Sequence, residues 1–224
     1  MNRTLTIPAA IVAGGIILAI AVYFAFAPSA PVSPTGTGDP ALVRPVSGND
    51  HIFGNPAAPV KIIEYSDYDC AYCKDFDATL RQVIATDGAN GSVAWVFRNF
   101  PLTELHTDAQ KTAEAAECAA QAGGNEAYWK FAALLFENQP ADPTEFGAYA
   151  KAAGVPGQAF ASCYADAATL VDARIASDSE NALQVGAQGT PYSVIVAPGK
   201  TPIVMNGAYS YDAVRALLKD ALGN

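Results

Sequence analysis

Two cysteines, Cys70 and Cys73, lie where a predicted strand gives way to a predicted helix. The run 60–65 is short, mostly apolar and β-branched, which is typical of a buried strand. A helix is predicted from about Cys70 to Thr86, because apolar residues follow at helical spacing and an Asp-Gly pair then ends the pattern. This junction constrains the fold more than any other feature, since it places two sulfur atoms at the first turn of a helix that follows a buried strand.

The position of this C-x-x-C pair favours thiol–disulfide chemistry. Only a thiolate is nucleophilic, and an ordinary thiol with a pKa of about 8.5 is mostly protonated at neutral pH. The N–H groups and dipole of a helix N-terminus stabilise an anion, so Cys70 is predicted to be the attacking sulfur and Cys73 the resolving one. Half of a zinc site is the alternative, but the other cysteines and histidines are far apart in the sequence. We therefore predict no metal ion and no other cofactor.

The order of the elements along the chain indicates the fold class. Beyond the first strand and helix, the pattern predicts a strand at 93–98, a helical block from about 106 to 183, strands at 192–196 and 202–205, and a closing helix at 211–222. The strand–helix–strand unit gives a parallel pair, and a hairpin ends the sheet. We therefore predict an α/β, thioredoxin-like fold over residues 51–224, with a helical insertion at about 104–185.

The N-terminal segment has the properties of a membrane anchor. Residues 7–27 form an apolar stretch of about 21 residues without charge, enough to span a hydrocarbon core of about 30 Å. Arg3 is the only charged side chain before Asp39, so the positive-inside rule puts the rest of the chain outside the cytoplasm. A transmembrane signal anchor is predicted at 1–27. A cleaved signal peptide is the alternative, although Pro28 follows the best small-residue cleavage site.

Composition indicates what connects this anchor to the domain and which partners are excluded. Residues 28–50 contain five prolines with several Gly, Ser and Thr residues and no hydrophobic periodicity, which predicts a linker. The net charge of the chain is -9. Nucleic acid is therefore excluded as a partner, because its recognition needs a basic surface.

Three motifs together resemble the DsbA-like branch of the thioredoxin superfamily. They are the segment 64–74 around the C-x-x-C pair, the Phe-Pro-Leu run at 100–102, and Gly-Thr-Pro at 189–191. The resemblance covers about 50–224 and implies a thioredoxin fold with a helical insertion. It also implies oxidation of thiols in exported client proteins, or their reduction or isomerisation as in some relatives. Such a protein needs a membrane redox partner that restores its disulfide or dithiol.

The resemblance also implies roles for further residues. Thr190 and Pro191 resemble the cis-proline loop that pairs with substrate backbone, although an ordinary strand entry is the alternative; Tyr72 is predicted to contact substrate as well. Glu64 matches a buried acid that exchanges a proton with the inner cysteine, unless it points outward from an edge strand. His106 opens the helical block, and a structural role is favoured there over substrate binding.

The remaining cysteines, Cys118 and Cys163, fall in two helices of the insertion. Relatives with paired cysteines in these helices staple the insertion, so we predict a structural disulfide between them; two separate buried thiols are the alternative. Closing a loop of about 46 residues would stabilise the fold by roughly 4 kcal/mol. Aromatic residues at 128, 129, 131 and 136 are predicted to form core, with a hydrophobic substrate groove as the alternative.

The active-site sequence departs from that of the strongest oxidants of the family, whose cysteines enclose a Pro-His pair. Ala71 and Tyr72 stand there instead, and Asp67 and Asp69 lie just upstream. Nearby anions raise the pKa of a thiol. We therefore predict a less acidic Cys70 and a less oxidising disulfide than in those members. The sequence leaves open two other functions, a membrane-anchored reductase or isomerase and a non-catalytic module that binds clients with an inert dithiol.

Overall fold

The computed structural model describes residues 38–223, and the predicted anchor at 1–27 lies outside the described residues. Five strands form one sheet in the spatial order β1-β3-β2-β4-β5. The strands are β1 His51–Gly54, β2 Val60–Ser66, β3 Val93–Asn99, β4 Tyr192–Val196 and β5 Ile203–Asn206. β2 and β3 are parallel, and the other pairs are antiparallel. The four predicted strands are confirmed, and β1 is an addition at the edge next to β3.

Seven α-helices and two short 3-10 helices, Pro40–Leu42 and Pro143–Glu145, complete the described part of the chain. The α-helices are α1 Ala71–Thr86, α2 Ala109–Glu137, α3 Phe146–Ala152, α4 Gly157–Ala165, α5 Ala167–Leu170, α6 Asp172–Gln184 and α7 Tyr211–Leu222. α2 bends at Gly124, whose φ of 78° is outside the helical region. The α/β fold with a helical insertion is therefore confirmed. Within residues 38–223, no helix is long and apolar enough to cross a membrane.

The two central strands, β2 and β3, are buried because helices cover both faces of the sheet. Ile62 of β2 packs with α1 and the insertion, whereas Ile63 and Tyr65 pack with the end of α6 on the opposite face. Successive side chains of a strand point to opposite faces, so a doubly covered strand is apolar almost throughout. This explains the mostly apolar run in the sequence and makes its one acidic residue, Glu64, an exception.

The insertion is built on an aromatic core and one disulfide bond. Tyr128, Trp129 and Phe131 of α2 are at most 5% exposed, so core packing is confirmed. Cys118 of α2 is bonded to Cys163 of α4, with a Cα separation of 5.6 Å. The predicted disulfide is therefore confirmed, and it joins two helices within the insertion.

Residues 38–50 form the second part of the range predicted as a linker, and they pack against the domain. The fully buried Arg98 of β3 bonds to Asp50 at 3.0 Å and donates to the carbonyl oxygen of Arg44 at 2.8 Å. Asn181 of α6 accepts from the Arg44 N–H at 2.9 Å and donates to the Leu42 carbonyl at 2.9 Å. Because a buried guanidinium needs a paired charge, this segment supplies part of the domain's interior.

Candidate active site

The two predicted redox cysteines lie at the start of α1. Cys70 is the N-cap residue, with extended backbone angles (φ -81°, ψ 119°), and the helix begins at Ala71. Cys73 is in the first turn, and its N–H donates to the Cys70 carbonyl at 3.0 Å. Both side chains are free thiols, Cys70 6% exposed and Cys73 fully buried. Cys70 therefore keeps a small exposed surface, whereas Cys73 keeps none.

The surroundings of the two thiols separate their acidities. A hydrogen bond from the Cys73 thiol is the main cause that lowers the pKa of Cys70 to about 5. Burial opposes this shift, whereas a side-chain hydrogen bond with Thr190 and the N–H groups of the first turn add to it. Burial, followed by the hydrogen bond to Cys70, raises the pKa of Cys73. At neutral pH the outer sulfur is a thiolate and the inner one a thiol. The predicted difference in acidity from the strongest oxidants of the family stays a prediction.

Asp67, upstream of Cys70, has a role that the sequence did not reveal. The buried carboxylate of Asp67 accepts hydrogen bonds from the Leu102 N–H at 2.8 Å, the Asp69 N–H at 2.8 Å and the His106 imidazole at 2.9 Å. It therefore ties the turn before Cys70 to the loop after β3. Burial opposes protonation of His106, but the bond to Asp67 outweighs it and raises the pKa of the imidazole. His106 therefore helps to hold the loop after β3 against the turn before Cys70.

Glu64 lies in the central strand β2 with its side chain fully buried, which excludes an outward-pointing residue on an edge strand. The indole N–H of Trp95 donates to its Oε2 atom at 2.8 Å. Burial is the main cause that raises the pKa of Glu64 to about 8. After burial and the bond to Cys70, the charge of Glu64 is the next cause that raises the pKa of Cys73. A carboxyl group with this pKa can both give and take a proton near neutrality.

The predicted substrate-binding residues meet beside Cys70. The Thr190-Pro191 peptide bond is cis, as predicted, and the Cys70 thiol lies 3.4 Å from the Thr190 carbonyl oxygen. Tyr72 is 69% exposed. Together with the loop after β5, these residues line a cleft of about 340 Å³. The lining residues are Tyr72, Thr190, Pro191, Asn206, Gly207, Ala208 and Tyr209.

Sequence reasoning missed Trp95, the hydrogen-bond partner of Glu64. A tryptophan in an apolar strand is normally interpreted as core. The available signal is its position two residues before Phe97, which pairs with Glu64 in the parallel register of β2 and β3. Residues two apart share one face of a strand, but the register that brings Trp95 to Glu64 is not visible in the sequence.

A protein-family model described as Thioredoxin matches residues 46–220, which include every site residue described above. The chain belongs to the thioredoxin family. It is similar to the thiol-disulfide exchange protein alpha-DsbA2 of Wolbachia pipientis, at 20% identity over 78% of this chain and 88% of that chain, with a TM-score of 0.67. It is also similar to BdbD of Bacillus subtilis, at 21% identity over 84% of this chain and 99% of that chain, with a TM-score of 0.67. This thioredoxin-family domain therefore shares the fold of these two solved structures.

The chain is also similar in sequence to proteins of two different names. The chain is 30% identical over 95 residues to a probable disulfide bond formation protein D of Bacillus cereus, covering 42% of this chain and 43% of that protein. It is 33% identical over 182 residues to a protein named Na(+)/H(+) antiporter NhaA 1 of Salinispora arenicola, covering 80% of this chain and 26% of that protein. The chain therefore spans about a quarter of the length of these antiporter-named relatives.

Proposed function

We propose that the chain is an extracytoplasmic thiol–disulfide oxidoreductase that exchanges disulfides with exported proteins through Cys70 and Cys73. The observation that carries this proposal is the placement of the two thiols: Cys70 is the N-cap of α1 and its thiol lies 3.4 Å from the Thr190 carbonyl oxygen at the edge of a cleft, whereas Cys73 is fully buried in the first turn. The lowered pKa of Cys70 and the raised pKa of Cys73 support it. Membership of the thioredoxin family supports it. The Cys118–Cys163 disulfide supports the location, because such bonds persist outside the cytoplasm.

In the oxidising direction, a client thiolate attacks the Cys70 sulfur of the Cys70–Cys73 disulfide. The bond between the two enzyme sulfurs breaks, a Cys70–client bond forms, and Cys73 leaves as a thiolate. Glu64, protonated at neutral pH because its pKa is about 8, gives its proton to Cys73. A second client thiolate then attacks the client sulfur and displaces Cys70 as a thiolate. The client loses two electrons, which the enzyme holds as its dithiol.

The same residues support the reverse reaction, so direction depends on the reduction potential and the redox partner. A membrane-anchored reductase or isomerase is therefore the second candidate. In either direction a membrane partner exchanges electrons with Cys70 and Cys73, and a helix at 1–27 would keep the domain near that partner. Client backbone would pair with Thr190, and Tyr72 would contact client side chains at the rim of the cleft.

The test compares the full chain with its Cys70→Ser variant in two assays, the reduction of insulin and the oxidation of reduced, unfolded ribonuclease A. We expect both rates to fall to the uncatalysed level in the variant, while its stability stays close to that of the parent. A parent chain that binds reduced ribonuclease A but catalyses neither reaction would favour the non-catalytic module and contradict the proposal.

A separate experiment tests the anchor. The full chain is expressed in a bacterium, extracted from membranes, and its intact mass is measured. An uncleaved chain in the membrane fraction is the expected result, and a mature chain that starts near Val22 or Pro28 would overturn the anchor. Labelling of Cys70 in intact cells by a maleimide that does not cross the inner membrane tests the location independently.

A further inference from the structure

One side chain orients the buried acid beneath the dithiol. Trp95 and Glu64 are both fully buried, and the indole N–H of Trp95 donates to Oε2 of the carboxyl group at 2.8 Å. The other carboxyl oxygen, Oε1, is buried without a hydrogen-bond partner among the described residues. An unpaired buried oxygen is costly, so its retention calls for a functional reason.

The Trp95 indole also packs against the guanidinium of Arg81. The guanidinium of Arg81 lies over three rings, 5.3 Å from the centre of Phe53, 5.7 Å from Trp129 and 5.8 Å from Trp95. Asp77 fixes the guanidinium through hydrogen bonds to Nε at 2.7 Å and Nη2 at 3.1 Å. The indole of Trp95 therefore cannot turn away from Glu64 without breaking this stack.

We propose that Trp95 is a positioning residue, whose indole N–H holds Oε2 of Glu64 so that Oε1 is the atom that exchanges the proton of Cys73. This inference rests on the proposed function and adds a specific residue to it. The role differs from that of Trp129 in the same aromatic cluster, because the indole N–H of Trp129 is buried without a hydrogen-bond partner within residues 38–223.

The proton exchange belongs to a balanced step. When Cys70 carries a thiol as a mixed disulfide, the Cys73 thiol gives its proton to Oε1 of ionised Glu64, and its sulfur attacks Cys70. The Cys70–Cys73 bond forms, the bond from Cys70 to the bound thiol breaks, and that thiol leaves as a thiolate. The enzyme is oxidised by two electrons and the departing compound is reduced.

The groups around Glu64 determine the pKa that a titration of this carboxyl group will measure. Besides burial, the groups that affect its ionisation are Ser66 from β2, Asp77 and Cys70 from α1, and Trp95 from β3. Glu64 in turn affects Cys73 and Tyr68. Arg81 compensates the charge of Asp77. The indole N–H stabilises the ionised carboxylate, so its removal should raise the pKa of Glu64. A hydrogen bond to a charged group typically changes a pKa by about one unit.

The first test uses the unaltered protein. The chain contains two tryptophans, so an ¹⁵N-labelled sample gives two indole N–H resonances, which Trp→Phe variants assign. In the reduced protein, we expect the Trp95 resonance to shift with pH with an inflection near 8, and the Trp129 resonance to lack that inflection. The Trp95 inflection should vanish in Glu64→Gln. A Trp95 resonance that is flat from pH 6 to 10 would overturn the proposal.

The second test measures the proton exchange in stopped flow. Reduced protein reacts with an aromatic disulfide, which first forms a mixed disulfide at Cys70 and then releases a second aromatic thiolate when Cys73 attacks. In Trp95→Phe, the pH profile of this release should move up by about one unit, equal to roughly tenfold slower release at pH 7. Trp129→Phe is the matched control and should keep the parental profile.

The double variant Trp95→Phe/Glu64→Gln separates this inference from the proposed function. We expect the Trp95 substitution to have no further effect on the pH profile once Glu64 is replaced. Equal profiles for Trp95→Phe, Trp129→Phe and the parent, with a slower Glu64→Gln, would refute the role of Trp95 and leave the function standing. A parent that never releases the second thiolate would instead refute the function.

Discussion

The two cysteine pairs of this domain share one chemistry and lie in opposite surroundings. Cys118 and Cys163 are 45 residues apart, join two helices and are bonded to each other. Cys70 and Cys73 are neighbours in a single turn, and both are free thiols. A disulfide between distant residues restricts the unfolded chain, whereas one between residues of the same turn restricts it very little.

The difference between the pairs shows what makes a dithiol reactive. At the N-terminus of α1, the N–H groups of the first turn and the Cys73 thiol stabilise the Cys70 thiolate, and a stabilised reduced form makes the corresponding disulfide a better oxidant. Cys118 lies within α2 and Cys163 within α4, so neither has the unpaired N–H groups of a helix start. Position in the fold, rather than residue type, therefore distinguishes the proposed redox pair from the structural disulfide.

Loss of the Cys73 thiol should give the largest difference between the two cysteine pairs, measured as trapped mixed disulfide. In Cys73→Ser, the mixed disulfide between Cys70 and a client should accumulate, because release by the intramolecular attack slows by more than about a thousandfold. Non-reducing gel electrophoresis after incubation with scrambled, disulfide-bonded ribonuclease A, whose disulfides the Cys70 thiolate attacks with release of one client thiolate, measures the trapped species. Cys163→Ser is the matched control and should trap none at Cys70. Equal trapping in both variants would contradict the assignment.

Removal of the structural disulfide should affect stability rather than chemistry. In Cys118→Ala/Cys163→Ala, the free energy of unfolding should fall by about 4 kcal/mol on the chain-entropy model, which lowers Tm by roughly 10 °C for a domain of this size. Urea denaturation and calorimetry measure this loss. Insulin reduction below the lowered Tm should remain close to the parental rate, and its disappearance in folded protein would show that the pair is not purely structural.

The acidity of Cys70 predicts a pH dependence of the reduced form. Its alkylation by iodoacetamide should rise with an inflection near pH 5. Because the folded pKa lies below the ordinary value of about 9, the thiolate stabilises the reduced fold fully above pH 9. That stabilisation declines as the pH falls from 9 to 5. Denaturation of the reduced and oxidised forms across this range measures the difference, and an alkylation inflection near 9 would disprove it.

Replacing the two residues between Cys70 and Cys73 should change the reduction potential, and this effect should be smaller than those above. In Ala71→Pro/Tyr72→His, a histidine near Cys70 should stabilise the thiolate further, and proline is acceptable at the first position of a helix. We expect the reduction potential to rise by about 30 mV or more, which corresponds to about 1.4 kcal/mol. Equilibration with glutathione measures the change. A lower potential would mean that Tyr72 stabilises the thiolate better than the exchanged pair.

The central strands, the redox helix and the insertion could be predicted because each has a strong local pattern. β1 could not, since four residues with no clear alternation become a strand only by pairing with β3. Asn125 adds to this by donating to the Ile52 carbonyl and accepting from its N–H. Likewise, Pro- and Gly-containing residues at 38–50 are ordered by the buried Arg98, whose reach across the fold is not visible in the sequence.

The candidate site divides in the same way. Cys70, Cys73 and Thr190-Pro191 lie in motifs that are readable along the chain. The partners of Glu64 and Asp67 depend on strand register and on a loop that returns from β3. For this reason the sequence indicated that Asp67 acts on Cys70 by its charge, whereas the structure shows a carboxylate engaged with His106 and two backbone N–H groups.

The central claim is that one cysteine pair exchanges electrons while the other holds the insertion together. Its most direct test equilibrates the full chain over a series of glutathione and dithiothreitol potentials, alkylates free thiols and quantifies both pairs by peptide mass spectrometry. We predict that Cys70–Cys73 is half-reduced between about -270 and -120 mV, and that Cys118–Cys163 stays oxidised to below about -300 mV. Reduction of both pairs at one potential, or of Cys118–Cys163 first, would contradict the account.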